Sequence, residues 1–133
     1  MQRDPNEPAT RGARGREAEE SVAAWLEERG YRVIDRNHRT PRGEVDLVCE
    51  EGETLVFVEV RSRASELHGT PAESIDRAKA LKVVRAAEDW ALRNSALERS
   101  IRFDVVALTL SDGRPSFDLI RAAFDADGDT RLW

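Results

Sequence analysis

Arg42-Gly43-Glu44-Val45-Asp46-Leu47-Val48, followed by Leu55-Val56-Phe57-Val58-Glu59-Val60-Arg61-Ser62-Arg63, is the stretch on which the rest of the chain is organised. Both runs alternate charged and apolar residues and are rich in Val and Leu, the pattern of strands. Glu50-Glu51-Gly52-Glu53 between them has the composition of a turn. With the two-residue period of a strand, Glu44 and Asp46 share one face of the first run and Val45 and Leu47 the other. In the second run Glu59 and Arg61 share a face with Leu55 and Phe57, while Val56, Val58 and Val60 point the opposite way. A hairpin centred near Gly52 brings the charged faces together. For Asp46 and Glu59 to share a face, Asp46 must stand opposite Phe57 or Glu59, and in either register the two side chains are direct or diagonal neighbours. Three carboxylates, Glu44, Asp46 and Glu59, then crowd one patch with Arg61. Gathering like charges is unfavourable without compensation. A divalent cation would compensate, and so would Arg61. Read by residue type alone, the patch also fits a surface ion-pair cluster.

Outward from the hairpin, the 133-residue chain fits one domain with a single core. A charged fraction of 35% and a net charge of −5 describe a soluble protein and argue against a general nucleic-acid coat protein, while leaving local basic patches open. Only Lys79 and Lys82 are lysines; every other basic residue is arginine, a planar, permanently charged donor suited to phosphate. The single cysteine, Cys49, excludes an internal disulfide and a cysteine zinc cluster, and its place on the apolar face of the first central strand predicts a buried thiol. No apolar run approaches the ~20 residues of a membrane span. Met1 to Thr10 is polar, carries Pro5 and Pro8, and lacks the apolar core of a signal peptide, so a disordered lead-in and a cytoplasmic protein are expected. No internal repeat is present.

In chain order, Ala18, Val22, Trp25 and Leu26 form one apolar stripe and predict a helix from about Gly15 to Arg29, ended by Gly30. Glu19 lies beside that stripe, either leaning toward the core edge or solvated. Tyr31 to Ile34 reads as a strand. Arg36-Asn37-His38-Arg39-Thr40-Pro41-Arg42 reads as a polar loop, either phosphate-binding or simply solvated; His38 alone marks no ligand. Ala64 to Gly69, with His68, is a further loop. Thr70 as cap, Pro71 at the first helical position and Glu73 completing a capping box predict a helix start. That helix should reach Arg93, burying Ile75, Ala80, Val83, Val84, Ala87, Trp90 and Ala91. Arg77, Lys79, Lys82 and Arg85 give its first half a basic side. Ile101 to Leu108 reads as a strand buried on both faces. Asp112-Gly113 is a turn, Phe117 to Ile120 a short last strand, and Asp125 to Asp129 a frayed acidic terminus. The order of helix, strand, hairpin, helix, strand, strand indicates an α/β domain with a mixed central sheet flanked by helices.

Gly43-Glu44-Val45-Asp46-Leu47-Val48 and Val56-Phe57-Val58-Glu59-Val60-Arg61-Ser62-Arg63 resemble the signature of the YraN-like family of bacterial proteins. Gly15-Arg16-Glu17-Ala18-Glu19 with Trp25-Leu26, Arg36 to Arg39, the Lys79 helix, Arg102 to Val106 and Ala123-Phe124 extend the similarity over about residues 12 to 124. That family is assigned to the PD-(D/E)xK nuclease superfamily and is similar to Holliday-junction resolvases. The resemblance therefore implies a restriction-endonuclease-like three-layer core. It makes residues 1–11 a lead-in, 12–124 a nuclease-like domain and 125–133 an acidic tail. It also implies Asp46 as the motif aspartate, Glu59 as the motif glutamate, Glu19 as the helix glutamate, and Arg61 where the motif has lysine. Two departures stand out: Ala18 replaces the usual glycine before Glu19, and Arg61 replaces the lysine.

The implied chemistry is hydrolysis of DNA, possibly branched DNA, by a Mg2+- or Mn2+-dependent endonuclease. Such ions take hard oxygen ligands and keep several waters. Asp46 and Glu59 would hold the ion, the Val60 carbonyl and Glu44 would add ligands, and Glu19 would hold or orient through a water. Arg61 can stabilise phosphate charge but cannot act as a neutral base. Arg36, Arg39, Arg42, Arg63, Lys79 and Lys82 are the expected phosphate contacts. A two-fold junction would imply a homodimer. The alternative is a nuclease-fold module that cuts weakly or not at all and binds nucleic acid or a protein partner.

Overall fold

The hairpin lies inside a five-stranded sheet of order β1-β2-β3-β4-β5. In the computed structural model, residues 11–63 and 75–130 are described. Strand β2 (Gly43–Glu51) turns at Gly52, which has a positive φ of 59°, into β3 (Thr54–Arg63). The two pair antiparallel with Leu47 opposite Val58 and Glu51 opposite Thr54. Strand β1 (Arg32–Thr40) pairs antiparallel with β2 on one side. On the other side β4 (Ile101–Ser111) runs parallel to β3, and β5 (Arg114–Phe124) closes the sheet antiparallel to β4. Helix α2 (Arg77–Arg93) makes the crossover between the two parallel strands. The mixed sheet flanked by helices is the architecture expected from the sequence.

Two apolar layers cover the sheet. Under α1 (Arg11–Glu27), Ala18, Val22 and Leu26 pack on Leu47, Val56, Val58 and Val106. Cys49 is buried in this layer, and burial pushes its thiol up to about 12. Trp25 stacks on Phe117 of β5 at 5.0 Å. The helix ends where the Tyr31 amide reaches Leu26 O and the Gly30 amide reaches Glu27 O, with Gly30 at φ 90° as such a reversal requires. Under α2, Phe57 packs between Trp90 and Phe103, and Phe103 stacks on Phe124.

Several expectations change. The segment Arg36 to Arg42 is not a loop: it is strand through Thr40, and only Pro41 and Arg42 turn. Thr40 closes that turn, its hydroxyl accepting from the Arg42 and Gly43 amides and donating to Gly43 O. An edge strand is held by its backbone ladder, so its side chains need no apolar alternation. The same reason lengthens β5 well beyond Phe117 to Ile120. Helix α2 starts at Arg77, not Pro71, because Asp76 caps it by accepting from the Lys79 amide at 2.8 Å. Thr70, Pro71, Glu73 and His68 lie outside the described residues.

The acidic stretch after β5 is ordered through Thr130. The Asp125 carboxylate accepts from the Asp127 and Asp129 amides, and Thr130 bridges back to Phe124. A polar cluster that the sequence did not suggest joins β4 to the hairpin. Asp104, fully buried, accepts from Tyr31 Oη at 2.8 Å, from Arg102 Nε and Nη2, and from the Ala122 amide. Arg102 and Arg121 both also bond Glu51. No helix among the described residues is long and apolar enough to cross a membrane.

Candidate functional site

The ladder between β2 and β3 stops at Leu47 opposite Val58. Continued by one step, it would set Asp46 against Glu59, one of the two registers expected. Instead Asp46 Oδ2 accepts the Val60 amide at 2.8 Å, filling the gap where the strands part. On the other side of β2, Asn37 stands at φ 50°, in the step between the Arg36–Leu47 and His38–Val45 pairs. The pleat breaks at this point. Val45 joins the core under α2, whereas Leu47, two residues on, joins the core under α1. The sequence expectation that Val45 and Leu47 share a face, and Glu44 and Asp46 the other, therefore fails. Period-two alternation holds only along an unbroken ladder. The expected alternation in β3 holds, with Leu55 and Phe57 under α2 and Val56 and Val58 under α1.

Asp46 sits between two other carboxylates. Glu19 faces it from α1 and Glu59 from the α2 side of β3, close enough for their charges to act on one another, with Asn37 beside Glu19. Glu59 is 7% exposed. Burial, then the Asp46 charge, pushes Glu59 well above the ordinary carboxylate range; Lys79 and Arg61 act in the opposite direction. Glu19 is raised by burial and then by Asp46. Asp46 is raised by burial, offset by the Val60 amide. All three carboxyls are thus shifted upward, by burial first and then by neighbouring carboxylate charge. Carboxylates brought together under burial and mutual repulsion are a set of hard oxygen donors that a positive charge would compensate. Arg61 Nη1 supplies some, at 3.7 Å from Glu59 Oε1. Glu44 is exposed, pairs with Arg39 at 3.3 Å, and adds its charge to Asp46 and Glu19.

Glu59 opens onto a cleft of about 670 Å3 between the β1–β2 turn and the start of α2. Arg39 and Arg42 line one side, Lys79 and Lys82 the other, with Glu44 beside them. Four of the six expected phosphate contacts are therefore brought to one place. Arg36 is exposed on β1 away from this lining, and the Arg63 side chain lies outside the described residues. His38 is tied to Asp89 at 2.8 Å, which also takes Arg93, so its role is to hold β1 to α2.

Gly43 sets the width of the cleft. A Cβ there would stand 2.0 Å from Lys82 O, a backbone atom that cannot step aside alone. Gly43→Ala should destabilise the fold by about 1–3 kcal/mol, measured by urea unfolding, because α2 must move off the β1–β2 turn. Asn37 and Gly43 are site residues the sequence reading did not single out. The available signal for Asn37 was its type, since asparagine tolerates positive φ. Nothing local marked Gly43, whose constraint comes from a helix forty residues on.

Among the described residues, Asp125, Asp127 and Asp129 bring carboxylate oxygens within 4.8 Å of one another, all exposed on the loop after β5, whereas Glu19, Asp46 and Glu59 are not drawn together as tightly.

Fold and site together define an α/β domain with carboxylates gathered at a break in its central hairpin and a basic-rimmed cleft beside them. Residues 18–108 match the uncharacterised protein family UPF0102, and the chain belongs to that family. A UPF0102 protein of Anaeromyxobacter dehalogenans is 58% identical over 92% of each chain. One of Chromohalobacter salexigens is 44% identical, over 85% of this chain and 91% of that one. Among solved structures, that of an EndoMS–dsDNA2 complex matches 84% of this chain with 23% identity and a TM-score of 0.43. The match spans 42% of that larger chain.

Proposed function

We propose that the protein is a divalent-metal-dependent phosphodiesterase that cuts DNA, with branched DNA as its substrate shape and the cytoplasm as its setting. One observation carries the reading: Asp46, flanked by Glu19 and Glu59, lies where β2 and β3 part, and Glu59 faces a cleft rimmed by Arg39, Arg42, Lys79 and Lys82. Asp46 and Glu59 would hold Mg2+ or Mn2+, with the Val60 carbonyl and Glu44 as further ligands and Glu19 acting through a water. The ion would supply the activated water and offset charge on the phosphate. The donor set fits it, being all oxygen and electrically under-compensated as it stands.

The remaining roles belong to the chain's own residues. The basic rim draws the DNA backbone to the cleft despite the net charge of −5. Arg61, fixed beside Glu59, stabilises negative charge but takes no proton. A two-fold junction would be gripped by two copies of the chain. Arg61 also favours a second reading, a module that binds DNA without cutting it, because the residue cannot serve as a base.

A cleavage assay with Mg2+ and Mn2+ on duplex, single-stranded, flapped and four-way-junction DNA tests this. The expected result is cutting that EDTA stops and that Asp46→Ala lowers by about 100-fold or more. Salt-sensitive binding with no cutting of any substrate would select the second reading. No binding and no metal-induced rise in melting temperature would overturn both.

A further inference from the structure

The cleft contains one cation whose position differs from the rest. Lys79 is half-buried on the first turn of α2, whereas Arg77, Lys82 and Arg85 on the same helix are exposed. It lines the cleft together with Glu59. In a chain whose other nineteen basic residues are arginine, the two lysines, Lys79 and Lys82, are one helical turn apart and both line this cleft. An ammonium on a flexible stem presents a compact charge in a narrow space where a planar guanidinium needs a matched pair of acceptors. Arg61 is tied to the Glu59 carboxylate on the same strand face. Lys79 comes from a different element, across the opening.

We propose that Lys79 is a catalytic residue, the group whose ammonium meets the scissile phosphate and stabilises the charge that builds on it, and that Lys82 and Arg42 only hold the flanking backbone. This rests on the phosphodiesterase reading above. Phosphoryl transfer spreads negative charge over the non-bridging oxygens, and a fixed cation there acts more strongly on the transition state than on the bound substrate. Loss of Lys79 should therefore fall on turnover, and loss of Lys82 on affinity.

The experiment compares native protein, Lys79→Ala, Lys82→Ala and Asp46→Ala. Each is measured for steady-state cleavage of a four-way-junction DNA with Mn2+, for DNA binding with Ca2+ in place of Mn2+, and for the Mn2+-induced rise in melting temperature. Lys79→Ala should lower kcat by about 100-fold, change DNA affinity less than about threefold, and keep the metal-induced rise. Lys82→Ala should raise KM severalfold with kcat nearly kept. If Lys79→Ala loses affinity and keeps kcat, or cuts at the native rate, the proposal is overturned while Asp46-dependent cutting still supports the phosphodiesterase. If the native protein does not cut, both are overturned.

Discussion

Glu59→Gln should make the metal-free protein more stable and abolish its response to metal. The carboxyl is 7% exposed and raised well above its ordinary value of 4.5, first by burial and then by Asp46. A glutamine keeps the shape and the hydrogen-bonding capacity while removing the charge. Burying a charge without full compensation is unfavourable, so in EDTA, at a pH above the raised folded value, the variant should melt at a higher temperature than the native chain. The pH dependence follows from the direction of the shift. In the folded state Glu59 keeps a proton that the unfolded chain gives up near pH 4.5. Stability is therefore greatest below that pH, falls as pH rises through the raised folded value, and stays lowered above it. Glu19 and Asp46 are shifted the same way. Thermal melts in EDTA should show this decline in the native chain and a shallower one in Glu59→Gln. With metal the order should reverse: at about 100 times its dissociation constant an ion adds about 2.7 kcal/mol to a protein that binds it. A native chain that gains nothing from Mn2+, or a Glu59→Gln variant that gains as much, would contradict the assignment of Glu59 as a ligand.

Asp104→Ala should cost about 3–5 kcal/mol, enough to threaten the fold. The fully buried carboxylate accepts from Tyr31, Arg102 and the Ala122 amide. Its removal leaves the Arg102 guanidinium without its main partner, the Tyr31 hydroxyl without an acceptor and a backbone amide unpaired. The burial and the Asp104 charge that raise the Tyr31 hydroxyl also mean that it stays a donor at any ordinary pH. Urea unfolding should show a lowered midpoint with the metal response retained in the fraction that folds, since Tyr31, Glu51, Arg102, Asp104 and Arg121 neither line the cleft nor bond Asp46. A loss under about 1 kcal/mol would mean that water replaces the carboxylate.

The contrast between these two acids shows what a sequence exposes. Glu59 sits in an alternating strand two residues from Arg61, and its nearness to Asp46 across a tight turn is local information. Asp104 reads as one more charged residue beside Arg102, yet its buried carboxylate takes four hydrogen bonds. Its partners come from positions 31 and 122, brought in by the pairing of β4 with β5 and the end of α1.

The sequence by itself determined the order of elements, the hairpin at Gly52, the two-sided burial of β4, the apolar stripes of both helices and the family. Each depends on residue spacing within one element or on one short turn, where period and turn chemistry act directly on the chain. Tertiary structure alone decided the rest. The edge strands outrun their apolar residues because pairing, not hydropathy, holds them. The α2 cap moved to Asp76. The break at Asp46 set Val45 and Leu47 in different cores, because Asn37 reverses its backbone there and Asp46 takes the Val60 amide. Glu19 became part of the site because α1 packs over that break, and Gly43 became indispensable because Lys82 O lies where its side chain would be. These are contacts between elements far apart in the chain, and no local pattern carries them.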